Sequence, residues 1–170
     1  SLPESLRRPP APELPRRIVA PSHAEAGEKA ARSPLQAQHY RRGTLIHLLL
    51  QYMPVLPPEH RLASGMRLLT RHAPDMPEEI CAGMLQEVLT LLNTPECAPF
   101  FVNDALAEVP VAGRVVLNGE EVEVSGQIDR LVVGENEVWI LDYKTHTNPP
   151  QTLAEVPPRY IRQMEAYRAL

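Results

Sequence analysis

Proline is absent from residues 111–148, although the 170-residue chain contains 19 prolines. Because proline lacks the backbone N–H that a sheet ladder needs, this stretch can run through the middle of a sheet. Within it, Asn118-Gly119 is the strongest short signal for a β-hairpin turn, and apolar residues alternate with polar ones over residues 122–128. The stretch therefore predicts a β-meander with one buried face.

The meander has three or four predicted strands. Alternation over residues 105–111 and the run 114–117 lead into the first turn. A second turn at residues 134–136 returns the chain as a strand from Val138 to Thr145. Glutamates on the outward-facing positions predict an acidic outer side for this sheet.

Helical patterns precede the meander. Thr44 is the predicted N-cap of a helix that ends before Pro54, and a second helix begins at Pro57-Pro58 and runs to about Arg71. The sequence Asp75-Met76-Pro77-Glu78 then predicts a capping box at the start of a third helix. That helix has a predicted core stripe, which consists of Ile80, Met84, Val88 and Leu91.

A last helix is predicted over Arg159–Leu170, after a proline-rich loop. Together with the meander, the helices predict an α/β fold in which a small mixed sheet is flanked by helices. The chain begins Ser1-Leu2-Pro3 without an initiator Met, so we expect a fragment of a longer protein. Because the last helix reaches Leu170 without a C-cap signal, we expect the domain to be truncated at the C-terminus.

Residues 1–34 differ in composition from the rest of the chain. They hold seven of the prolines, mixed with Arg, Ala and Glu and without apolar periodicity. Such a segment buries too little surface to offset its ordering entropy, so we expect a linker or strap there and one domain over residues 35–170. No apolar run approaches the roughly 18 residues of a membrane span, and two cysteines cannot form a disulfide framework, which predicts a reducing, cytoplasmic setting.

The net charge of −4 argues at first against a nucleic-acid-binding protein, since such proteins usually carry a basic patch. The charge is unevenly placed along the chain. Residues 111–148 carry 3 basic and 7 acidic groups, whereas residues 1–34 and 149–170 are net positive. The acidic excess therefore coincides with the predicted sheet.

Two carboxylates and a lysine meet at one end of that sheet. Asp142 and Lys144 project from the same face of the last strand, because side chains alternate along a strand. The turn at residues 134–136 pairs this strand with the one that contains Asp129, which places Asp129 roughly opposite the strand's end. Paired carboxylates beside an ammonium group form an oxygen-rich Mg²⁺ site. The alternative is a surface ion pair of Asp129 with Arg130 or a neighbouring lysine.

These residues belong to an ordered set of four motifs. They are Arg42-Gly43-Thr44-Leu45-Ile46-His47, Gly126-Gln127-Ile128-Asp129-Arg130-Leu131, Ile140-Leu141-Asp142-Tyr143-Lys144-Thr145 and Gln163-x-x-x-Tyr167. The set resembles the RecB branch of the PD-(D/E)xK nucleases, and within it the C-terminal nuclease domains of the AddA helicase–nuclease family, over about residues 35–170. The resemblance implies a restriction-endonuclease-like α/β core.

The resemblance also implies a role for each motif residue. The ligands of the catalytic Mg²⁺ or Mn²⁺ would be His47, Asp129, Asp142 and the backbone carbonyl of Tyr143. Lys144 would position or activate the attacking water, which makes it catalytic together with the two aspartates. Gln163 and Tyr167 lie four residues apart, hence on one helix face, and would hold the DNA strand or orient Lys144.

Several other residues have two interpretations. His47 taken alone is more typical of a satisfied core histidine, and His146 is a rival ligand or, as we favour, a surface residue. Glu108 is an accessory acid near the metal or an exposed strand residue. Five arginines are phosphate contacts or solvated side chains: Arg41, Arg42, Arg159, Arg162 and Arg168. Cys81 and Cys97 are expected to be inert thiols.

The implied activity is Mg²⁺-dependent exonuclease or endonuclease cleavage of single-stranded DNA during double-strand break repair and recombination, in the bacterial cytoplasm. The implied partners are DNA, a helicase portion of the same polypeptide and an AddB-like subunit, with no membrane. Two cysteines exclude a four-cysteine iron–sulfur cluster, and without a phosphate loop ATP would act only in the helicase part. The alternatives are a non-catalytic DNA-binding or docking module and a standalone or phage-like nuclease of the same branch.

Overall fold

The computed structural model describes residues 18–19, 33–117, 119–146 and 148–170. The strands within these ranges are β1 (Ile18–Val19), β2 (Leu106–Leu117), β3 (Glu120–Val133) and β4 (Val138–Leu141). The α-helices within them are α1 (Pro34–Tyr52), α2 (Pro58–His72), α3 (Glu78–Leu92) and α4 (Pro158–Ala169). Short 3-10 helices lie at Ala98–Phe100 and Leu153–Glu155.

The strands form one small mixed sheet. β3 is antiparallel to both β2 and β4 and parallel to β1. The predicted α/β class with a small mixed sheet and flanking helices is therefore confirmed. Except for β1, Ser33 and Pro34, the predicted linker over residues 1–34 lies outside the described residues and stays a prediction.

The hairpin between β2 and β3 is the one that the sequence predicts. Leu117 pairs with Glu120, and Gly119 has a φ of 81°, a left-handed conformation that glycine adopts without strain. Asn118 lies outside the described residues. The alternation along β3 buries Val122 and Val124 and leaves the intervening positions more exposed, as its period of two requires.

The last strand is shorter than predicted, because β4 ends at Leu141 and not at Thr145. The cause is that a hydrogen bond to a side chain replaces the backbone hydrogen bonds of the sheet at this point. The backbone N–H of Tyr143 donates to Oδ2 of Asp129 at 2.6 Å, so β3 holds this segment through a carboxylate and not through its backbone.

The first helix begins ten residues before the predicted cap. Ser33 caps α1 in a capping box with Gln36, and Pro34 occupies the first turn. Thr44 is not an N-cap, because its hydroxyl donates to the carbonyl of Tyr40 inside the helix. The sequence did not reveal the cap at Ser33, because Ser33 and Pro34 continue the proline-rich composition of the segment that precedes them.

The predicted capping box at the start of α3 is also wrong. The N-cap is Pro77, with no side-chain hydrogen bond, and Asp75 instead forms an ion pair with Arg41 of α1. Ile80 of the predicted stripe is 53 % exposed. The buried face of α3 is rotated from the predicted one and consists of Cys81, Met84, Leu85, Val88 and Leu92.

The core has two parts. One unites α1, α2 and α3, and the other packs α4 against the sheet. At Gly126 a Cβ atom would lie 2.5 Å from the hydroxyl oxygen of Tyr167, so only glycine permits this approach of α4 to β3. No helix within the described parts of the chain is both long and apolar enough to cross a membrane.

Candidate metal centre and active site

Three carboxylates form a row across the sheet, beside the end of β4. The residues on either side of Glu108 pair with those on either side of Asp129, so these two acids lie side by side on β2 and β3. Arg130 pairs with Leu141, which brings Asp129 next to Asp142, directly after β4. The hairpin geometry therefore gathers acids that are widely separated in sequence.

His47 approaches this row from α1. Its Nδ1 lies 3.4 Å from Oδ1 of Asp129, and its Nε2 lies 3.1 Å from the backbone carbonyl oxygen of Tyr143. His47, Glu108 and Asp129 each offer one ligand atom, and these atoms lie within 4.8 Å of one another. One imidazole nitrogen and two carboxylate oxygens suit a hard or borderline divalent cation, so the residues present fit Mg²⁺ or Mn²⁺.

This group differs by one side chain from the predicted ligands. It contains Glu108, which was predicted as an accessory acid or an exposed strand residue, in place of Asp142. The two carboxylate oxygens of Asp142 contact Lys144 and Gln163. Glu108 also has a φ of 54°, a left-handed conformation that non-glycine residues seldom adopt and that concentrates at functional sites. Its Oε2 accepts a hydrogen bond from Nε2 of Gln127 at 2.8 Å.

The pKa values within the group reflect burial and mutual repulsion. Burial raises the pKa of Glu108, and the charge of Asp129 raises it further, whereas His47 opposes the shift. Burial lowers the pKa of His47, but the hydrogen bond and charge of Asp129 and the charge of Glu108 outweigh it, so that pKa is raised overall. The site therefore attracts positive charge.

Lys144 is held in place by three groups. Its Nζ lies 2.6 Å from Oδ2 of Asp142, donates to Oε1 of Gln163 at 3.2 Å, and lies 4.7 Å from the centre of the Tyr160 ring. Gln163, only 4 % exposed, also donates from Nε2 to Oδ1 of Asp142 at 2.8 Å. Gln163 thus joins the acid and the lysine, a geometry that fits orientation of Lys144.

The pKa of Asp142 is shifted by several groups in opposite directions. Burial raises the pKa of its carboxyl group, the hydrogen bond and charge of Lys144 lower it, and the neighbouring Asp129 raises it again, so that the pKa is raised overall. A positive charge bound next to these carboxylates would therefore favour the ionised form of Asp142.

Tyr160 is a member of the site that the sequence analysis missed. It is 9 % exposed, its hydroxyl lies 2.8 Å from Nε2 of His146, and the guanidinium of Arg159 lies 4.8 Å from its ring centre. Its position three residues before Gln163 puts both on one face of α4, and this spacing was the available signal. His146, predicted as a surface residue or rival ligand, is exposed and contacts Tyr160.

Arg130 does not pair with Asp129, so the alternative surface ion pair is not formed. Arg130 is 1 % exposed, donates from Nε to the hydroxyl of Tyr143 at 3.0 Å, and donates from Nη2 to the carbonyl of Leu50 at 2.9 Å. Its guanidinium carbon lies 5.0 Å from the centre of the Phe101 ring. Arg130 therefore ties the Tyr143 segment to α1.

Other predicted DNA contacts have protein partners. Tyr167 is 3 % exposed and its hydroxyl donates to the carbonyl of Gln127 at 3.0 Å, a position that supports packing. Arg42 forms an ion pair with Glu87 at 2.5 Å, and Arg159 lies against Tyr160. A DNA-contacting role for Arg42 and Arg159 stays a prediction.

Comparison with known proteins agrees with this geometry. Residues 22–170 match the family model of the PD-(D/E)XK nuclease superfamily, and this range includes every residue of the site described above. Among curated protein sequences, none matches the chain. Since the family model covers most of its length, the chain belongs to the PD-(D/E)XK nuclease superfamily.

Proposed function

We propose that this chain is a metal-dependent deoxyribonuclease domain that hydrolyses phosphodiester bonds of single-stranded DNA. The observation that carries the proposal is the convergence of His47, Glu108 and Asp129 on one point, directly beside the Asp142–Lys144 pair. Membership of a superfamily of nucleases supports the same reaction class.

The proposed division of labour follows from the geometry. His47, Glu108 and Asp129 would hold a divalent cation, with Asp142 and the carbonyl of Tyr143 as adjacent oxygen donors. When bound, that ion polarises a phosphoryl oxygen and lowers the pKa of water.

The cation-binding carboxylates alone would repel DNA, and Lys144 complements them. Its ammonium group would stabilise the negative charge that develops on the phosphoryl oxygens as the water attacks. Asp142, Gln163 and Tyr160 fix the position of that ammonium group before substrate arrives, so little reorganisation is needed during the reaction.

The cellular setting is a further part of the proposal. The four-motif set over residues 35–170 supports the C-terminal nuclease domain of an AddA-type helicase–nuclease, acting in double-strand break repair in the bacterial cytoplasm. Its partners would then be a helicase portion of the same polypeptide, which alone would use ATP, and an AddB-like subunit. A standalone nuclease of the RecB branch would use the same residues.

Cleavage of a labelled single-stranded oligonucleotide tests the reaction. The chain should cleave with Mg²⁺ or Mn²⁺ and stop with chelator, and Asp129→Ala and Lys144→Ala should each lower the rate by at least ~10²-fold. Glu135→Ala, which removes an exposed acid in the turn before β4, is the matched control and should leave the rate unchanged.

Calorimetric titration with Mn²⁺ separates the proposal from a non-catalytic module. The proposal is supported if the wild-type chain cleaves DNA and binds Mn²⁺, and Asp129→Ala abolishes the Mn²⁺ binding. A wild-type chain that binds DNA but neither binds Mn²⁺ nor cleaves would identify a binding or docking module instead.

A further inference from the structure

A pocket of about 480 Å³ opens beside Lys144. It lies between the end of β4, the first half of α4 and the segment that connects them. Ile140, Val156 and Met164 supply apolar lining, and each is only partly buried. The volume lies within the range of ligand-binding pockets, and partly exposed apolar side chains in a concave surface are typical of such sites.

Charged and polar groups form part of the pocket lining. They are Asp142, which belongs to the carboxylate row, and Lys144, His146 and Tyr160. Asp142 and Lys144 are bound to each other at 2.6 Å, so their charges are largely compensated at this wall. The pocket therefore suits an uncharged group with apolar faces and polar edges.

The position of the pocket restricts what that group can be. For the proposed reaction, the scissile phosphate must be within reach of both the His47–Glu108–Asp129 group and the ammonium group of Lys144. A nucleobase is joined to that phosphate through a single sugar, so a base next to the scissile phosphate is within reach of the pocket that Lys144 lines. Nucleobases are flat, uncharged and apolar on both faces, and proteins bind them without sequence preference by covering those faces.

We propose that this pocket accepts one unpaired nucleobase adjacent to the scissile phosphate of single-stranded DNA. A base inserted between β4 and α4 is separated from a complementary strand, so duplex DNA would have to unpair that base first. The inference rests on the proposed nuclease function and adds to it a structural reason for a single-stranded substrate.

Abasic scanning of the substrate tests this pocket with the wild-type chain. A set of single-stranded oligonucleotides carries one stable abasic nucleotide, moved one position at a time, and cleavage is mapped at every phosphodiester. Loss of the base should lower cleavage about 10-fold at one fixed offset, because covering one base contributes ~1–3 kcal/mol. Equal cleavage at all offsets would overturn the inference while leaving the nuclease function intact.

A pocket-filling variant and its control localise the effect. Val156→Trp should lower cleavage of intact DNA about 10-fold and remove the dependence on the abasic position. Leu153→Trp, on the same connecting segment but 78 % exposed and outside the pocket lining, should behave like wild type. A Val156→Trp chain that folds normally and keeps the wild-type pattern would contradict the assignment.

A binding measurement separates the two proposals. Fluorescence of a 2-aminopurine base at single positions reports insertion into a protein pocket without any cleavage. A position-dependent signal that Val156→Trp removes, in a chain that never cleaves, would refute the nuclease function and keep the base pocket. Absence of both cleavage and a position-dependent signal would overturn both.

Discussion

Replacing Gln163 with leucine removes two hydrogen bonds from the Asp142–Lys144 pair while retaining a side chain of similar size. In the wild-type site the amide donates to Asp142 at 2.8 Å and accepts from Lys144 at 3.2 Å, from a position that is 4 % exposed. Lys144 would keep Asp142 as its ion-pair partner but lose the group that sets its direction.

The magnitudes follow from this geometry. Hydrogen bonds to charged groups contribute ~1.5–3 kcal/mol each. The side chains of Lys144 and Asp142 are 27 % and 10 % exposed, so water replaces part of the loss. We therefore expect the free energy of unfolding to fall by about 2 kcal/mol for Gln163→Leu. A displacement of the ammonium group by about 1 Å would lower the cleavage rate ~10²-fold.

The assay is single-turnover cleavage of a labelled oligonucleotide with Mg²⁺, paired with denaturant unfolding of the same samples. Glu165→Leu is the matched control, because Glu165 lies on α4 two residues further along and is exposed. A purely structural role would lower stability without slowing the folded enzyme. A folded Gln163→Leu chain that cleaves at the wild-type rate would refute the reasoning that Gln163 orients Lys144.

Three further predictions concern the same region. Tyr160→Leu should slow cleavage about 10-fold, because a cation–π contact contributes ~0.5–2 kcal/mol. Tyr160→Phe keeps the ring over Lys144 and should keep most of the activity, so equal rates for the two variants would contradict this prediction. Gly126→Ala should lower the free energy of unfolding by ~1–3 kcal/mol in denaturant titration, because the new Cβ would lie 2.5 Å from the Tyr167 hydroxyl oxygen. An unchanged denaturation midpoint would contradict this and show that α4 shifts freely. Mn²⁺ at 100 times its Kd should stabilise the chain by about 2.7 kcal/mol, seen as a rise in Tm that chelator reverses, and Asp129→Ala should remove the rise.

The sequence predicted the parts of the fold that depend on local signals. The turn at Asn118-Gly119 and the period of two along β3 reflect backbone preferences that act over a few residues. The predicted turn at residues 134–136 likewise brought Asp129 next to Asp142, because the turn of a hairpin determines the register of its strands.

The parts that were missed depend on contacts between distant segments. β4 stops at Leu141 because Asp129 takes the N–H of Tyr143, and no pattern within the strand reveals that bond. Glu108 lies beside His47 and Asp129 only because β2 pairs with β3 on both sides of it. Tyr160 becomes part of the site through packing of α4, which its spacing from Gln163 suggests only in retrospect.

Anomalous diffraction from crystals of the chain soaked in Mn²⁺ would test the proposed metal site directly. We expect an anomalous peak within ligand distance of His47, Glu108 and Asp129, next to the Asp142–Lys144 pair. Crystals that bind Mn²⁺ elsewhere but show no peak among these three side chains would contradict it.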